Sequence, residues 1–226
     1  MNLKLKLIIV GAAGRMGKKI SAFAIESKQF DIIGGIEDRN CPDIGKNIAN
    51  TNIRISYEFP PGADVVIDFS LPAALNNTLN YCLENNCALV LGTTGLSGEQ
   101  IKQIDEASKK LPLIQATNMS VGMNLLFEIV GQVAKKLGEE YDIEIVEAHH
   151  RFKKDAPSGS AMTLAEKIAA ATGRKFPECL DMSRSGKECL RKKGSIGMQA
   201  LRLGDTVGEH SVMFGTIGET VTISHS

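Results

Sequence analysis

The chain has 226 residues, 43% of them apolar and 23% charged, which is enough for one large domain or two small ones around a real core. Its 26 basic and 26 acidic residues cancel, which argues against nucleic acid or an anionic membrane as the main partner. Five cysteines without zinc-ligand spacing, a Met1–Lys6 lead without a signal-peptide pattern and no apolar run of membrane length together predict a soluble cytoplasmic protein with reduced thiols and no metal.

Leu3 to Val10 reads as a buried strand running into Gly11-Ala12-Ala13-Gly14-Arg15-Met16-Gly17, after which Met16, Ile20, Phe23 and Ala24 mark the inner face of a helix. Strand, glycine turn and helix N-terminus form the phosphate-binding opening of a dinucleotide fold, although the spacing is G-x-x-G-x-x-G rather than G-x-G-x-x-G. A second strand, Ile32 to Ile36, ends on Glu37 and Asp38, twenty residues past Gly17, where an acid should take the adenosine ribose hydroxyls. The alternative is a tight turn without ligand; the agreement of both halves favours the nucleotide. Two carboxylates disfavour a 2′-phosphate and lean toward NADH, while Arg39 leaves NADPH open.

Further strands are predicted at Ile53–Ser56, Val65–Phe69, Ala88–Leu91 and Leu113–Ala116. Leu75, Leu79, Cys82 and Leu83 give one intervening helix its face, and a Ser97/Gln100 capping box opens another that bears Ile101 and Ile104. The strand ends at Gly11, Ser70, Gly92-Thr93-Thr94-Gly95 and Thr117 fall on the carboxyl edge, along which a doubly wound sheet binds its ligand. The βα alternation stops near Val121, which divides the chain into 1–121 and 122–226. A helix follows from Gly122 to Leu137 with Leu126, Ile129, Val130, Val133 and Ala134 on one side.

Glu147-Ala148-His149-His150-Arg151-Phe152-Lys153-Lys154-Asp155-Ala156-Pro157-Ser158-Gly159-Ser160 holds two of the four histidines. A short strand with Ile143, Ile145 and Val146 precedes it, and a helix with Ala161, Leu164, Ala165, Ile168 and Ala169 on one face follows. The stretch combines a group that titrates near neutrality, cations, and the amide-rich start of a helix, which suits protonation of an anionic substrate. The bland alternative is a solvated basic loop with an ordinary Ser N-cap. Cys179 to Ser195, with Arg184, Lys187, Arg191, Lys192 and Lys193, reads as a mobile loop and a solvated charge run rather than a lid. Strands at Ile196–Leu203, His210–Phe214 and Thr220–His225 complete a mixed or antiparallel sheet, in which His210 reads as a sheet residue rather than a ligand. The predicted class is α/β: an N-terminal Rossmann-type doubly wound parallel sheet, then an α+β substrate domain with an open mixed sheet.

The motifs G-A-A-G-R-M-G (11–17), D-F-S-L-P (68–72), G-T-T-G (92–95), N-M-S-V-G-M-N (118–124), E-A-H-H-R-F-K-K-D-A-P-S-G-S-A (147–161) and G-D-T-V-G-E-H (204–210) resemble those of the dihydrodipicolinate reductases of bacterial lysine and diaminopimelate synthesis. The resemblance implies NADH or NADPH held by Gly11, Ala12, Ala13, Gly14, Arg15 and Met16, with Glu37 and Asp38 at the ribose. Gly92, Thr93 and Thr94 would line the nicotinamide side, with Ala116, Thr117, Asn118 and Met119 completing the pocket. It further implies His149 as proton donor with Lys153 as its partner, His150, Gly159 and Ser160 on the carboxylates of a cyclic imine dicarboxylate, and a homotetramer built through the second domain's sheet. The sequence departs from the family pattern twice. Asp38 stands where an Arg often follows the acid, and the family's Arg and return helix beyond the position of His225 are not among these 226 residues. A dehydrogenase for a neutral or mono-acid substrate and a non-catalytic NADH sensor are the competing readings.

Overall fold

The computed structural model describes residues 3–182 and 184–226; Met1 and Asn2 of the Met1–Lys6 lead and Ser183 of the 179–195 loop lie outside the described residues. The chain forms two compact units, Met1–Thr117 and Asn118–Ser226.

The first unit runs β1 (Leu5–Val10), α1 (Arg15–Ser27), β2 (Phe30–Ile36), β3 (Ile55–Ser56), β4 (Val65–Asp68), a 3₁₀ turn (Pro72–Ala74), α2 (Leu75–Asn85), β5 (Ala88–Leu91), α3 (Gly98–Ser108) and β6 (Leu113–Gln115). All its sheet pairings are parallel, in the order β3-β2-β1-β4-β5-β6. The order reverses between β1 and β4, so their carboxyl ends open a crevice at the doubly wound switch point. The strands are apolar on both faces because helices cover both. Ile8, Val66, Leu89 and Leu91 pack with α2 and α3, while Leu7 and Ile9 pack with Ala24 of α1. The expected capping box is present: the Ser97 hydroxyl accepts from Gln100 N–H, and the Gln100 side chain accepts from Ser97 N–H.

Three helix faces differ from the expectation. On α1, Met16 and Phe23 are exposed, and Gly17, Ser21 and Ala24 are buried instead. The helix starts so close to the glycine turn that only a small residue fits beneath it, which turns its larger side chains outward. On α2, Leu83 is exposed and Thr78 is wholly buried, because Thr78 serves a buried carboxylate described below. On α3, Ile104 and Ala107 are buried and Ile101 is exposed.

The second unit contains α4 (Val121–Leu137), β7 (Asp142–His149), α5 (Gly159–Thr172), β8 (Leu180–Asp181), β9 (Ile196–Arg202), β10 (Glu209–Thr216) and β11 (Glu219–His225). Its sheet is mixed, in the order β11-β10-β7-β9-β8, with β7 central, β9 parallel to it and β10 antiparallel. One face of this sheet is covered by α4 and α5. There Ala161, Leu164, Ala165, Ile168 and Ala169, the predicted face of α5, are completely buried against Ile143, Ile145, Met198, Val212 and Phe214. Each buried Leu or Ile of that layer contributes roughly 1.5–3 kcal/mol relative to exposure. The opposite face carries Val146, Leu201, Ser211, Met213 and Thr222 by strand alternation, with Leu201 exposed. The 179–195 segment is more tightly held than a solvated charge run. Arg184 pairs with Glu144 and Asp181, and Arg191 reaches Asp142 at 2.7 Å and Glu144 at 3.1 Å. Two acids on the outer face of β7 thus fix the two arginines, while Lys187, Lys192 and Lys193 remain exposed.

Candidate active site

In the first unit the glycine turn is set by contact. Gly11 has φ +80°, and a Cβ on it would lie 2.7 Å from the Phe69 carbonyl oxygen; a Cβ on Gly17 would lie 2.1 Å from the Gly11 carbonyl. No larger residue fits at either place, so the backbone at the start of α1 stays open to a ligand. Gly14 is the N-cap of α1 and supplies no side-chain cap, and the positive end of the helix dipole lies at the turn. Glu37 accepts from Ala13 N–H at 2.7 Å, and its carboxylate therefore sits directly at the turn. Gly11, Gly14, Glu37, Asp38, Arg39 and Ser70 line one cleft of about 550 Å³, on whose rim the Arg39 guanidinium lies 4.5 Å from the Tyr57 ring centre. Asp38 accepts from Asn40 N–H at 2.8 Å. Ala12 is buried behind the turn, Arg15 and Met16 open α1, and Met16 is exposed. The turn, the helix dipole and the acid fit a dinucleotide.

Gly92, Thr93 and Thr94 follow β5 and are not part of that cleft's lining. Gly92 lies against the Phe69 ring, 2.3 Å from where a Cβ would be. Thr93 is buried, and its hydroxyl bonds to Asp68. Asp68 was not among the expected site residues. It ends β4, is completely buried, and accepts from Ser70 N–H (2.9 Å), Ser70 Oγ (2.6 Å), Thr78 Oγ1 (2.8 Å) and Thr93 Oγ1 (3.0 Å). One carboxylate thus ties together the exits of β4 and β5 and the first turns of α2. Ala116 N–H donates to Leu91 O at 3.2 Å, and Thr117 closes the unit.

In the second unit β7 delivers His149 as its last residue, on the face toward the helices. His149 Nδ1 is 2.6 Å from Glu147 Oε2, and Glu147 is completely buried. Arg202 clamps Glu147 with both nitrogens at 2.8 Å and also donates to the Asp155 carbonyl at 2.7 Å. The other oxygen of Glu147 accepts from Ser158 N–H at 3.0 Å. Burial pushes the Glu147 carboxyl up, but Arg202, His149 and the Ser158 amide outweigh it and hold it below its ordinary value. Lys153 is bound bidentately by Asp155 at 2.9 Å, and this, against burial, depresses the Asp155 carboxyl. His150 is buried with its ring 6.4 Å from that of Phe152.

Gly159 and Ser160 are the first residues of α5 rather than its preface, and Ser158 is the N-cap, accepting from Ala161 N–H at 3.2 Å. The amides of Gly159 and Ser160 are therefore helix-start donors without intrahelical acceptors. Asn118, expected on the cofactor side, donates to Ser160 Oγ at 3.1 Å, while Met119 is exposed. Both helix caps are bonded by sheet histidines: His210 to Ser158 at 3.1 Å and His225 to Ser120 at 3.2 Å. No group of His, Cys, Asp and Glu among the described residues could hold a metal ion.

His210 is a sheet residue, as expected, yet it borders the site edge-on to His149 at 5.3 Å. Burial, then the charge of His149, pushes it down to about 4, so it is neutral at neutral pH. The unfolded chain takes up this proton near 6.5 and the folded chain only near 4. Between those values the unfolded state binds more protons. The second unit should therefore lose on the order of 3 kcal/mol as pH falls from about 6.5 to 4, with no further loss from this group below. Glu147, with a depressed carboxyl, gives way only at lower pH, below its ordinary 4.5. Urea denaturation between pH 4.5 and 6.5 should show the slope in the parent chain and a nearly flat line for His210→Gln.

The profile for dihydrodipicolinate reductase, N-terminus, matches residues 5–119, and that for dihydrodipicolinate reductase, C-terminus, matches residues 122–226. The chain belongs to the dihydrodipicolinate reductase family. Within the family, the 4-hydroxy-tetrahydrodipicolinate reductase of Rubrobacter xylanophilus is 40% identical over 98% of this chain and 85% of its own length. That of Hahella chejuensis is 40% identical over 97% and 86%. Among solved structures, a dipicolinate-bound dihydrodipicolinate reductase from Paenisporosarcina sp. TG-14 matches 99% of this chain and 88% of its own, with a TM-score of 0.68 at 24% identity. The WlbA (WbpB) dehydrogenase from Thermus thermophilus, in complex with NAD and UDP-GlcNAcA, matches 98% and 84% with a TM-score of 0.59 at 12% identity. At these identities the two structures share the fold of this chain.

Proposed function

We propose that this chain is a cytoplasmic 4-hydroxy-tetrahydrodipicolinate reductase, reducing its cyclic dicarboxylate to tetrahydrodipicolinate with loss of water in lysine synthesis by way of diaminopimelate. The observation that carries the reading is His149, fixed at 2.6 Å by a buried carboxylate that also accepts from the amide of Ser158, the N-cap of α5. The first unit binds the cofactor through the turn Gly11 to Met16, with Glu37 and Asp38 at the ribose, and through Gly92 to Thr94 and Ala116 to Met119 at the nicotinamide. Two acids at the ribose favour NADH. A bound dihydronicotinamide supplies the hydride. His150 and the Gly159 and Ser160 amides hold substrate carboxylates, where the dipole of α5 favours negative charge. Once water has left and a hydride has added to the unsaturated ring, the neighbouring carbon holds the resulting enamine-like electron pair, and His149, with Lys153, gives it a proton.

NADH oxidation with freshly generated substrate tests the reading. Lys153→Ala should lower kcat and raise KM for the dicarboxylate, because an ammonium that neutralises the substrate acts in both states. Pyridine-2,6-dicarboxylate should inhibit competitively with substrate; no inhibition at high concentration favours a dehydrogenase for a neutral substrate, and tight NADH binding without turnover favours a sensor. The helix-free face of the second sheet, bearing Val146, Leu201 and Met213, suits assembly into a homotetramer, to be read by light scattering.

A further inference from the structure

Glu147 and Arg202 have no part in the reading above, which concerns groups that touch substrate or cofactor. Glu147 lies on the central strand, and its side chain is completely enclosed. Its register neighbours on the same face are His210 of β10 and Ala200 of β9, and the next pair along is His149 with Arg202. The carboxylate therefore stands in a slot whose every side is specified. His149 Nδ1 lies at 2.6 Å, the Arg202 guanidinium bridges both oxygens at 2.8 Å, and the Ser158 amide completes the set at 3.0 Å. Arg202 also donates to the Asp155 carbonyl, and Asp155 holds Lys153. A single guanidinium thereby links the supports of both proposed reactive groups.

We propose that Glu147 is a positioning residue that keeps a proton on His149 Nδ1 and aims Nε2 at the substrate, and that Arg202 limits how strongly Glu147 holds the imidazolium charge. This rests on His149 being the proton donor. With Glu147 accepting from Nδ1–H, the proton that leaves is the one on Nε2: the Nε2–H bond breaks, the carbon–hydrogen bond forms from the substrate's electron pair, and the imidazolium becomes the neutral Nδ1–H tautomer. Glu147 alone would stabilise the imidazolium and hold back its proton. Arg202 draws on the same two oxygens and weakens that hold. Around His149, His210 stacks edge-on against it and is neutral at working pH, Arg202 is its register neighbour on β9, and Lys153, four positions along the chain, is paired with Asp155. From the 203–208 segment Gly208 faces Nε2, where a Cβ would stand 3.0 Å away, so small size at that position leaves the donor atom room.

The test has a part that needs no variant and no turnover. Nitrogen-15 NMR of histidine-labelled protein should show neutral His149 protonated on Nδ1; protonation on Nε2 would overturn the proposal. The kinetic part compares the alkaline limb of kcat/KM, along which a protonated donor is lost. Glu147→Gln should move that limb down by about one pH unit or more and lower kcat at least about tenfold. Arg202→Met should move it up, and Glu147→Asp should return it toward the parent position. A structural role alone would lower activity without moving the limb, or would move it the same way in both variants; either result defeats the proposal. If the NMR titration of His149 shifts in Glu147→Gln while the kinetic limb stays fixed, the Glu147 pairing holds and the assignment of His149 as donor fails.

Discussion

Replacing His149 by Gln is expected to lower kcat by about 10²–10⁴-fold, the usual contribution of a positioned general acid. The glutamine amide can still donate to Glu147, so the slot around the buried carboxylate keeps a partner and the second unit stays folded. It cannot release a proton near neutral pH, and that is the capability removed. No residue assigned to the cofactor changes, so NADH affinity, read by fluorescence titration, should remain that of the parent. The split matters. A variant that lost NADH binding along with turnover would point to general damage, and one with parent turnover would remove His149 from the mechanism.

The architecture was legible because its signals are local. An apolar run followed by a short turn and a 3.6-residue apolar period is visible within thirty residues, and three such strand–helix pairs in series leave the doubly wound order as the natural arrangement. The His149 stretch was legible for a similar reason: strand end, loop and helix start are consecutive, and Ser158 to Ala161 carries its cap in sequence. What escaped reading depends on register or on close approach. Arg202 is 55 positions from Glu147, and only the parallel pairing of β7 with β9 brings them together. Arg191, followed by two lysines in sequence, is likewise distinguished from them only by Asp142 and Glu144, 49 and 47 positions away on β7. The outward turn of Met16 and Phe23 follows from the 2.1 Å approach at Gly17, a contact that no periodicity encodes. Asp68 left one trace, a lone carboxylate closing a run of buried apolar residues, which signals a satisfied polar hub when the strand is central.

Asp68→Ala should be among the most destabilising single changes in the first unit, costing on the order of 4 kcal/mol. Four donors converge on that carboxylate within 2.6–3.0 Å, from three chain positions. Alanine removes every acceptor at once. Of the donors, Thr78 retains the Ala74 carbonyl at 3.3 Å, whereas the Ser70 amide keeps only Thr93 Oγ1 at 3.1 Å. Asp68→Asn should cost much less, roughly 1–2 kcal/mol, because its amide oxygen still accepts and the Thr78 hydroxyl can reverse to receive from its NH₂. The functional effect should exceed the loss of stability. Ser70 and Thr93 begin the segments after β4 and β5, on the edge where the nicotinamide is proposed to lie, so both lose their fixed positions together. NADH should bind at least about tenfold more weakly to Asp68→Ala at temperatures where urea curves show it fully folded. If the alanine variant binds NADH as the parent does while unfolding earlier in urea, Asp68 serves the core alone and does not order the cofactor edge.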